Sequence, residues 1–65
     1  MKIIVNGEPR ELAAKTLAEA VTMLGYTGDY FAVALNRACV PRSRHAATAL
    51  KDSDEIEILS PMQGG

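Results

Sequence analysis

The chain has 65 residues, a formal net charge of −1 and a single cysteine, Cys39. A domain of this size has one small core and buries only about 60% of the surface that its unfolded chain exposes. The near-zero charge gives no electrostatic reason to expect nucleic acid or an anionic membrane as a partner. The sequence shows no apolar run of about 20 residues and no signal-peptide layout. We therefore expect one cytoplasmic domain, residues 1–65, that is not an enzyme.

The start of the chain predicts a β-hairpin. Residues 1–5 are rich in β-branched side chains and lead into Asn6-Gly7. This dipeptide suits a type I′ turn, because both central residues of that turn have positive φ. Residues 8–12 then form the returning strand. Pro9 has no N–H to donate, which predicts that this strand lies at the edge of a sheet.

A helix is predicted next. Thr16 and Glu19 have the spacing of a capping box, in which two side chains satisfy the free amides at a helix N-terminus. Four apolar residues follow at the spacing of one helical stripe: Leu17, Ala20, Val21 and Leu24. Gly25 comes at the position where helices commonly end in a left-handed residue.

The second half of the chain predicts three strands, at residues 31–35, 38–40 and 55–58, with a turn at Asn36-Arg37. The strict alternation of residues 55–58 places the glutamates outside and the isoleucines inside. Residues 42–49 are ambiguous, and His45-Ala46-Ala47 would fit a single helical turn. The predicted fold is therefore α+β, a mixed sheet of about four to five strands with one main helix packed across one face.

The sequence ends in Gly64-Gly65, and the functional hypothesis depends on these residues. Because glycine has no Cβ, such a segment can thread a narrow channel of a partner enzyme. Pro61 cannot extend the hydrogen-bond ladder of the last strand, so we expect residues 61–65 to form a flexible tail. In that role the Gly65 carboxylate would be the reacting group, and the partner channel would recognise Met62, Gln63 and Gly64. A terminal Gly-Gly alone is a weak signal, because it also arises by chance, and flexibility alone would also explain Met62 and Gln63.

The sequence resembles the ThiS family, the sulfur carrier proteins of thiamin biosynthesis, which have the ubiquitin-like β-grasp fold. The resemblance extends over the whole chain. It is sharpest at Ala34-Leu35-Asn36 with Val40-Pro41-Arg42, at residues 52–58 and at Gly64-Gly65. Two residues depart from the family pattern, which often has tryptophan where His45 stands and glycine where Ser53 stands.

The resemblance implies chemistry at the C-terminal carboxylate. An E1-like adenylyltransferase would use ATP to convert the Gly65 carboxylate into an acyl-adenylate. A sulfur donor, a cysteine desulfurase or a relay protein, would then leave a thiocarboxylate on Gly65. Thiazole synthase would receive this sulfur for the thiazole ring. The carrier itself would bind no cofactor, because the partner enzyme uses the ATP.

Two other functions stay open at this point. The small subunit of molybdopterin synthase has the same fold, the same Gly-Gly end and the same thiocarboxylate chemistry, although the short length and residues 40–42 favour thiamin. A ubiquitin-like modifier or interaction domain would instead join Gly65 to a lysine, or leave it unused. Both fates begin with adenylation, so the sequence does not separate them.

Charged side chains suggest where a partner docks. Glu55 and Glu57 share one face of their strand. This face is either simply solvated or a docking surface for a basic patch of the partner. In the second case Arg42 would lie at the rim of the docking surface. Arg37, Arg42 and Arg44 have no interleaved aromatic residues, so they do not form a nucleic-acid platform. They either keep the domain soluble or steer the partner.

Two further side chains invite a chemical interpretation. Cys39 lies in an apolar strand, and because free cysteine is among the most buried residue types we expect it in or near the core. His45 has no cysteine, histidine or carboxylate at metal-ligand spacing. We expect it to be a surface or half-buried histidine rather than a metal ligand.

Overall fold

The computed structural model describes residues 1–26 and 31–59. Within these residues the chain forms five strands, an α-helix and a 3₁₀ helix. In chain order they are β1 (Lys2–Val5), β2 (Glu8–Glu11), α1 (Leu17–Met23), β3 (Ala32–Leu35), β4 (Ala38–Cys39), the 3₁₀ helix (Arg42–Ala47) and β5 (Glu55–Leu59). The strands form one sheet in the order β2-β1-β5-β3-β4. The predicted α+β architecture is confirmed.

Two tight hairpins make up the outer parts of the sheet. The turn between β1 and β2 has positive φ at both central residues, 50° at Asn6 and 86° at Gly7, as the Asn-Gly dipeptide predicted. The turn between β3 and β4 repeats this geometry, with φ of 51° at Asn36 and 71° at Arg37. Since β2 is an edge strand, the prediction drawn from Pro9 is also confirmed.

The strand β5 joins the two hairpins at the centre of the sheet. It pairs parallel to β1, with Val5 opposite Ile56, and antiparallel to β3, with Val33 opposite Ile58. The burial of β5 alternates along its length. Both isoleucines are buried and both glutamates are exposed, as the sequence alternation predicted.

The N-terminus of α1 is capped by the predicted pair of side chains. Thr16 Oγ1 accepts a hydrogen bond from the Glu19 amide at 3.2 Å. The return bond differs from the standard capping box, because Glu19 Oε1 accepts from the amide of Lys15 at 2.7 Å, one residue before the cap. Two free amides near the start of the helix are satisfied in this way.

The C-terminus of α1 ends in a Schellman motif. Gly25 has a φ of 91°, and its amide donates to the Thr22 carbonyl at 3.0 Å. The next amide, that of Tyr26, donates to the Val21 carbonyl at 3.2 Å. Leu24 is the C-cap, so it is half-buried at the helix end rather than fully inside the core.

The core lies between α1 and one face of the sheet and is aliphatic. Leu17, Ile3 and Ile56 are completely buried at its centre. The predicted packing of the helix stripe against the β5 isoleucines is confirmed, because Leu17, Val21, Ile56 and Ile58 belong to one buried cluster. No described helix is long and apolar enough to span a membrane.

The prediction that Cys39 lies in or near the core is wrong. Cys39 is exposed, because β4 is an edge strand and Cys39 stands opposite Ala34. Residues directly opposite in an antiparallel pair point to the same face. Ala34 alternates with the buried Val33, so it and Cys39 point away from the helix.

His45 is more buried than its sequence context predicted. Its exposed fraction is only 8%, because the 3₁₀ helix turns this side chain inward. Its Nε2 lies 3.0 Å from the carbonyl oxygen of Val40. A carbonyl only accepts, so Nε2 carries the hydrogen and donates. His45 is therefore a core-side residue hydrogen-bonded to the end of the β3–β4 hairpin.

Candidate functional site

The sheet face opposite α1 is the candidate site, and we call it the outer face. Its residues alternate along the strands with the buried residues of the core. They are Lys2, Ile4, Ala32, Ala34, Cys39, Glu55, Glu57 and Leu59, all exposed or half-buried. Among the described residues, this face is therefore open to solvent.

One end of the outer face is charged. A shallow groove of about 170 Å³ is lined there by Ile4, Gly7, Ile56 and three charged residues, Arg37, Glu55 and Glu57. Arg37 Nε lies 4.0 Å from Glu55 Oε1; the Arg37 side chain is largely in solvent and the Glu55 side chain is half exposed. Such an exposed, long ion pair contributes little to stability. The groove thus presents two carboxylates and one guanidinium to solvent.

The other end of the outer face is apolar. Leu59 stands opposite Ala32, and its exposed fraction of 65% is the highest among the large hydrophobic residues of the described chain. Cys39 and Ala34 form the neighbouring cross-strand pair. Since Leu59 ends β5, this apolar end lies where the chain continues toward Gly64-Gly65.

The sequence grouped Arg42 with the two glutamates, but the structure places it in a different environment. Arg42 is exposed at the start of the 3₁₀ helix. It lines two grooves, of about 210 and 330 Å³, together with Phe31 and His45. The cation that shares a groove with Glu55 and Glu57 is Arg37 instead.

A hydrogen-bond network that sequence reasoning missed fixes the start of β5. Asn36 Oδ1 accepts from the Glu55 amide at 2.9 Å, and Asn36 Nδ2 donates to Asp54 Oδ1 at 3.0 Å. The other carboxylate oxygen of Asp54 accepts from the Lys51 amide at 2.8 Å. The exposed fraction of Asp54 is only 6%. The network therefore fixes the backbone at the start of β5, the strand from which the side chains of Glu55 and Glu57 project.

The predicted tail residues Met62, Gln63, Gly64 and Gly65, and the prediction that residues 61–65 are flexible, lie outside the described residues. The described part of the chain contains no group of three or more His, Cys, Asp or Glu side chains that could hold a metal ion.

Comparison with known sequences gives consistent matches over the whole chain. The ThiS family model matches residues 3–65. The chain is 38% identical over 61 residues to the sulfur carrier protein ThiS of Thermus thermophilus, covering 94% of this chain and 95% of that one. It is 39% and 38% identical over 66 residues to thiazole synthases of Magnetococcus marinus and Paramagnetospirillum magneticum, and spans 20% of the length of each.

Solved structures support the same conclusion on the fold. The crystal structure of a thiamine biosynthesis protein (ThiS) from Geobacter metallireducens matches with a TM-score of 0.81 and 33% identity, covering 100% of both chains. The solution structure of a thiamine biosynthesis protein from the same organism matches with a TM-score of 0.81 and 32% identity. It covers 100% of this chain and 88% of the other. The predicted β-grasp architecture is confirmed.

Proposed function

The chain belongs to the ThiS family, and we propose that it is a sulfur carrier of thiamin biosynthesis rather than an enzyme. The main support for this proposal is the similarity of the chain to the Thermus thermophilus carrier, which extends over 95% of that protein. A fold alone does not define a function. A match along nearly the whole length of a carrier, at 38% identity, is stronger support than fold.

The proposed chemistry takes place at the Gly65 carboxylate. In an E1-like adenylyltransferase this carboxylate attacks the α-phosphorus of ATP, and pyrophosphate leaves. A persulfide from a cysteine desulfurase or relay protein attacks the acyl carbon and expels AMP. A thiol then reduces the resulting acyl disulfide, which leaves a thiocarboxylate on Gly65 and a disulfide on the donor side. The partners supply catalysis and ATP, and the carrier supplies the reacting end.

The residues before Gly65 are proposed to guide it to the partner. Gly64 has no Cβ, so its backbone fits a channel too narrow for other residues. Met62 and Gln63 carry the side chains that the channel would recognise. The match to the ThiS family includes all four of these positions.

Thiazole synthase is the proposed acceptor of the sulfur. Two thiazole synthases contain, within a single chain, a segment 38–39% identical to this protein. Joining two modules in one polypeptide raises the effective concentration of each for the other. A carrier fused to an enzyme is therefore most useful if that enzyme consumes its cargo. This favours thiamin biosynthesis over the molybdopterin alternative.

The outer face is the proposed docking surface for these partners. Because β5 leads from this face toward Gly64-Gly65, an enzyme that receives the tail also meets Glu55, Glu57 and Leu59. The two glutamates would bind a basic patch, and Leu59 would bind an apolar one. Arg42 would contact the partner at the rim beyond β4. We place this exchange in the cytoplasm.

Mass spectrometry tests the proposal directly. The full chain is incubated with an E1-like adenylyltransferase from the same organism, ATP, magnesium, cysteine and a cysteine desulfurase. We expect pyrophosphate exchange and a mass gain equal to the replacement of one oxygen by sulfur. Trypsin cleaves after Arg37, Arg42 and Lys51, so it separates the peptide 38–42, which contains Cys39, from the peptide 52–65. The sulfur should lie on peptide 52–65.

Variants of the same chain complete the test. Deletion of Gly65 should abolish sulfur loading, and Gly64→Val should reduce it strongly by blocking the channel. Cys39→Ala removes the single side-chain thiol of the chain and should still load sulfur. Sulfur on peptide 38–42, together with normal loading of the Gly65 deletion, would overturn the carrier mechanism. An isopeptide bond between Gly65 and a lysine would support the modifier alternative.

A further inference from the structure

Arg37 adopts a backbone conformation that does not suit its residue type. Four described residues other than glycine have positive φ, namely Asn6, Asn36, Arg37 and Ser53. Asparagine tolerates the left-handed region through its short polar side chain. Arginine does not, and the second central position of a type I′ turn strongly favours glycine. Arg37, with a φ of 71°, therefore lowers the stability of the hairpin relative to glycine.

Contacts within the described chain do not offset this strain. Arg37 has one ion-pair partner there, Glu55, at 4.0 Å. The side chain of Arg37 is 87% exposed and that of Glu55 is 48% exposed. An ion pair of this length in solvent contributes little to stability. The turn requires this backbone conformation but not an arginine, and a strained residue kept where glycine would fit is typical of functional positions.

The position of Arg37 indicates what it recognises. It is the one cation among the residues that line the charged groove, next to Glu55 and Glu57. A guanidinium binds a carboxylate through two parallel hydrogen bonds, which fixes orientation as well as distance. A groove with one positive and two negative groups complements a surface with the opposite arrangement. Such complementarity sets the orientation of two docking proteins more than their affinity.

We infer that Arg37 is a recognition residue whose guanidinium binds a carboxylate on the adenylyltransferase, beside the basic residues that meet Glu55 and Glu57. This inference rests on the proposed function and deepens it, because it states the charge pattern of the partner surface. The three charges together orient the carrier so that β5 directs the tail toward the active site. Arg37 remains in the turn because this contact requires it.

Three variants separate recognition from stability. Arg37→Gly removes both the strain and the charge. Arg37→Lys keeps the strain and the charge but loses the bidentate fork. Ser53→Gly is the matched control, because Ser53 is exposed with a φ of 73° and does not line the charged groove. We expect both glycine variants to raise the melting temperature by a few degrees, since both remove the same kind of strain.

The association rate with the adenylyltransferase gives the decisive result. Arg37→Gly should slow association about tenfold at low salt, with a smaller effect at high salt. Arg37→Lys should lie between this variant and the wild type, and Ser53→Gly should associate like the wild type. Wild-type rates for Arg37→Gly, or an equal loss in Ser53→Gly, would overturn the inference while the proposed function stands. Absence of pyrophosphate exchange with the wild-type chain would overturn both.

Discussion

The side-chain oxygen of Asn6 accepts a hydrogen bond from the backbone amide of Ile58 at 2.8 Å. The amide of Asn6 in turn donates to the Ile56 carbonyl at 2.9 Å. The strand β1 ends at Val5, so its pairing with β5 continues through a turn residue. A side chain thereby takes the place of a backbone acceptor beyond the end of the strand.

Replacing Asn6 with glycine separates the two roles of this residue. Asn6→Gly keeps the positive φ but leaves the part-buried Ile58 amide without its acceptor. We expect the free energy of unfolding to fall by about 1–3 kcal/mol and amide exchange at Ile58 to accelerate. Asn6→Asp keeps an acceptor oxygen and is the control. Equal urea midpoints for the two variants would contradict this role of the side chain.

The core depends on Leu17 more than on any exposed apolar residue of α1. Leu17 is completely buried, so Leu17→Ala should lower the free energy of unfolding by about 2–5 kcal/mol. The control is Met23→Ala on the same helix, where 54% of the residue is exposed, and its effect should stay within about 0.5 kcal/mol. Urea unfolding measures both. Similar losses in the two variants would show that the helix packs through another face.

The N-cap of α1 offers a test of local stabilisation. Thr16→Ala removes the oxygen that accepts from the Glu19 amide, so we expect a loss of about 1 kcal/mol in the free energy of unfolding. Thr16→Ser keeps the oxygen and should stay near the wild type. Thermal unfolding followed by circular dichroism measures the difference. A serine variant as unstable as the alanine variant would show that the threonine methyl group, not its oxygen, matters.

Charge reversal tests the docking role of the outer face. Glu57→Lys should slow association with the adenylyltransferase more than it speeds dissociation, because rim charges act mainly on the encounter. The effect should shrink as salt rises. Glu8→Lys reverses a charge on the edge strand β2 and should leave the rate unchanged. A salt-independent effect of Glu57→Lys would remove the electrostatic explanation.

Much of the fold could be predicted because its strongest signals are local. The dipeptide Asn6-Gly7 defines a turn by its φ angles, and Thr16 defines a helix start by hydrogen bonds within a few residues. The exposure of Cys39 could not be predicted in this way. A strand of two residues is too short to show an alternation, and the face of Cys39 depends on its pairing with Ala34.

The candidate site was predicted in part for a similar reason. The alternation of residues 55–58 correctly identified Glu55 and Glu57 as exposed neighbours. It gave no information on the cation beside them, because Arg37 reaches Glu55 only through the pairing of β3 with β5. Asp54 was missed for the same cause, since its hydrogen-bond partner Asn36 lies 18 residues earlier. Contacts between distant turns require the tertiary structure.

The central place of β5 has a consequence for synthesis on the ribosome. The hairpins β1–β2 and β3–β4 form hydrogen bonds with β5 but not with each other in the described sheet. Each hairpin can begin to form as the nascent chain emerges, yet nothing pairs them until residues 55–59 have been translated. Two-stranded hairpins alone are at best marginally stable. The complete five-stranded sheet therefore forms only after its central strand, the fifth in order of translation, has left the ribosome.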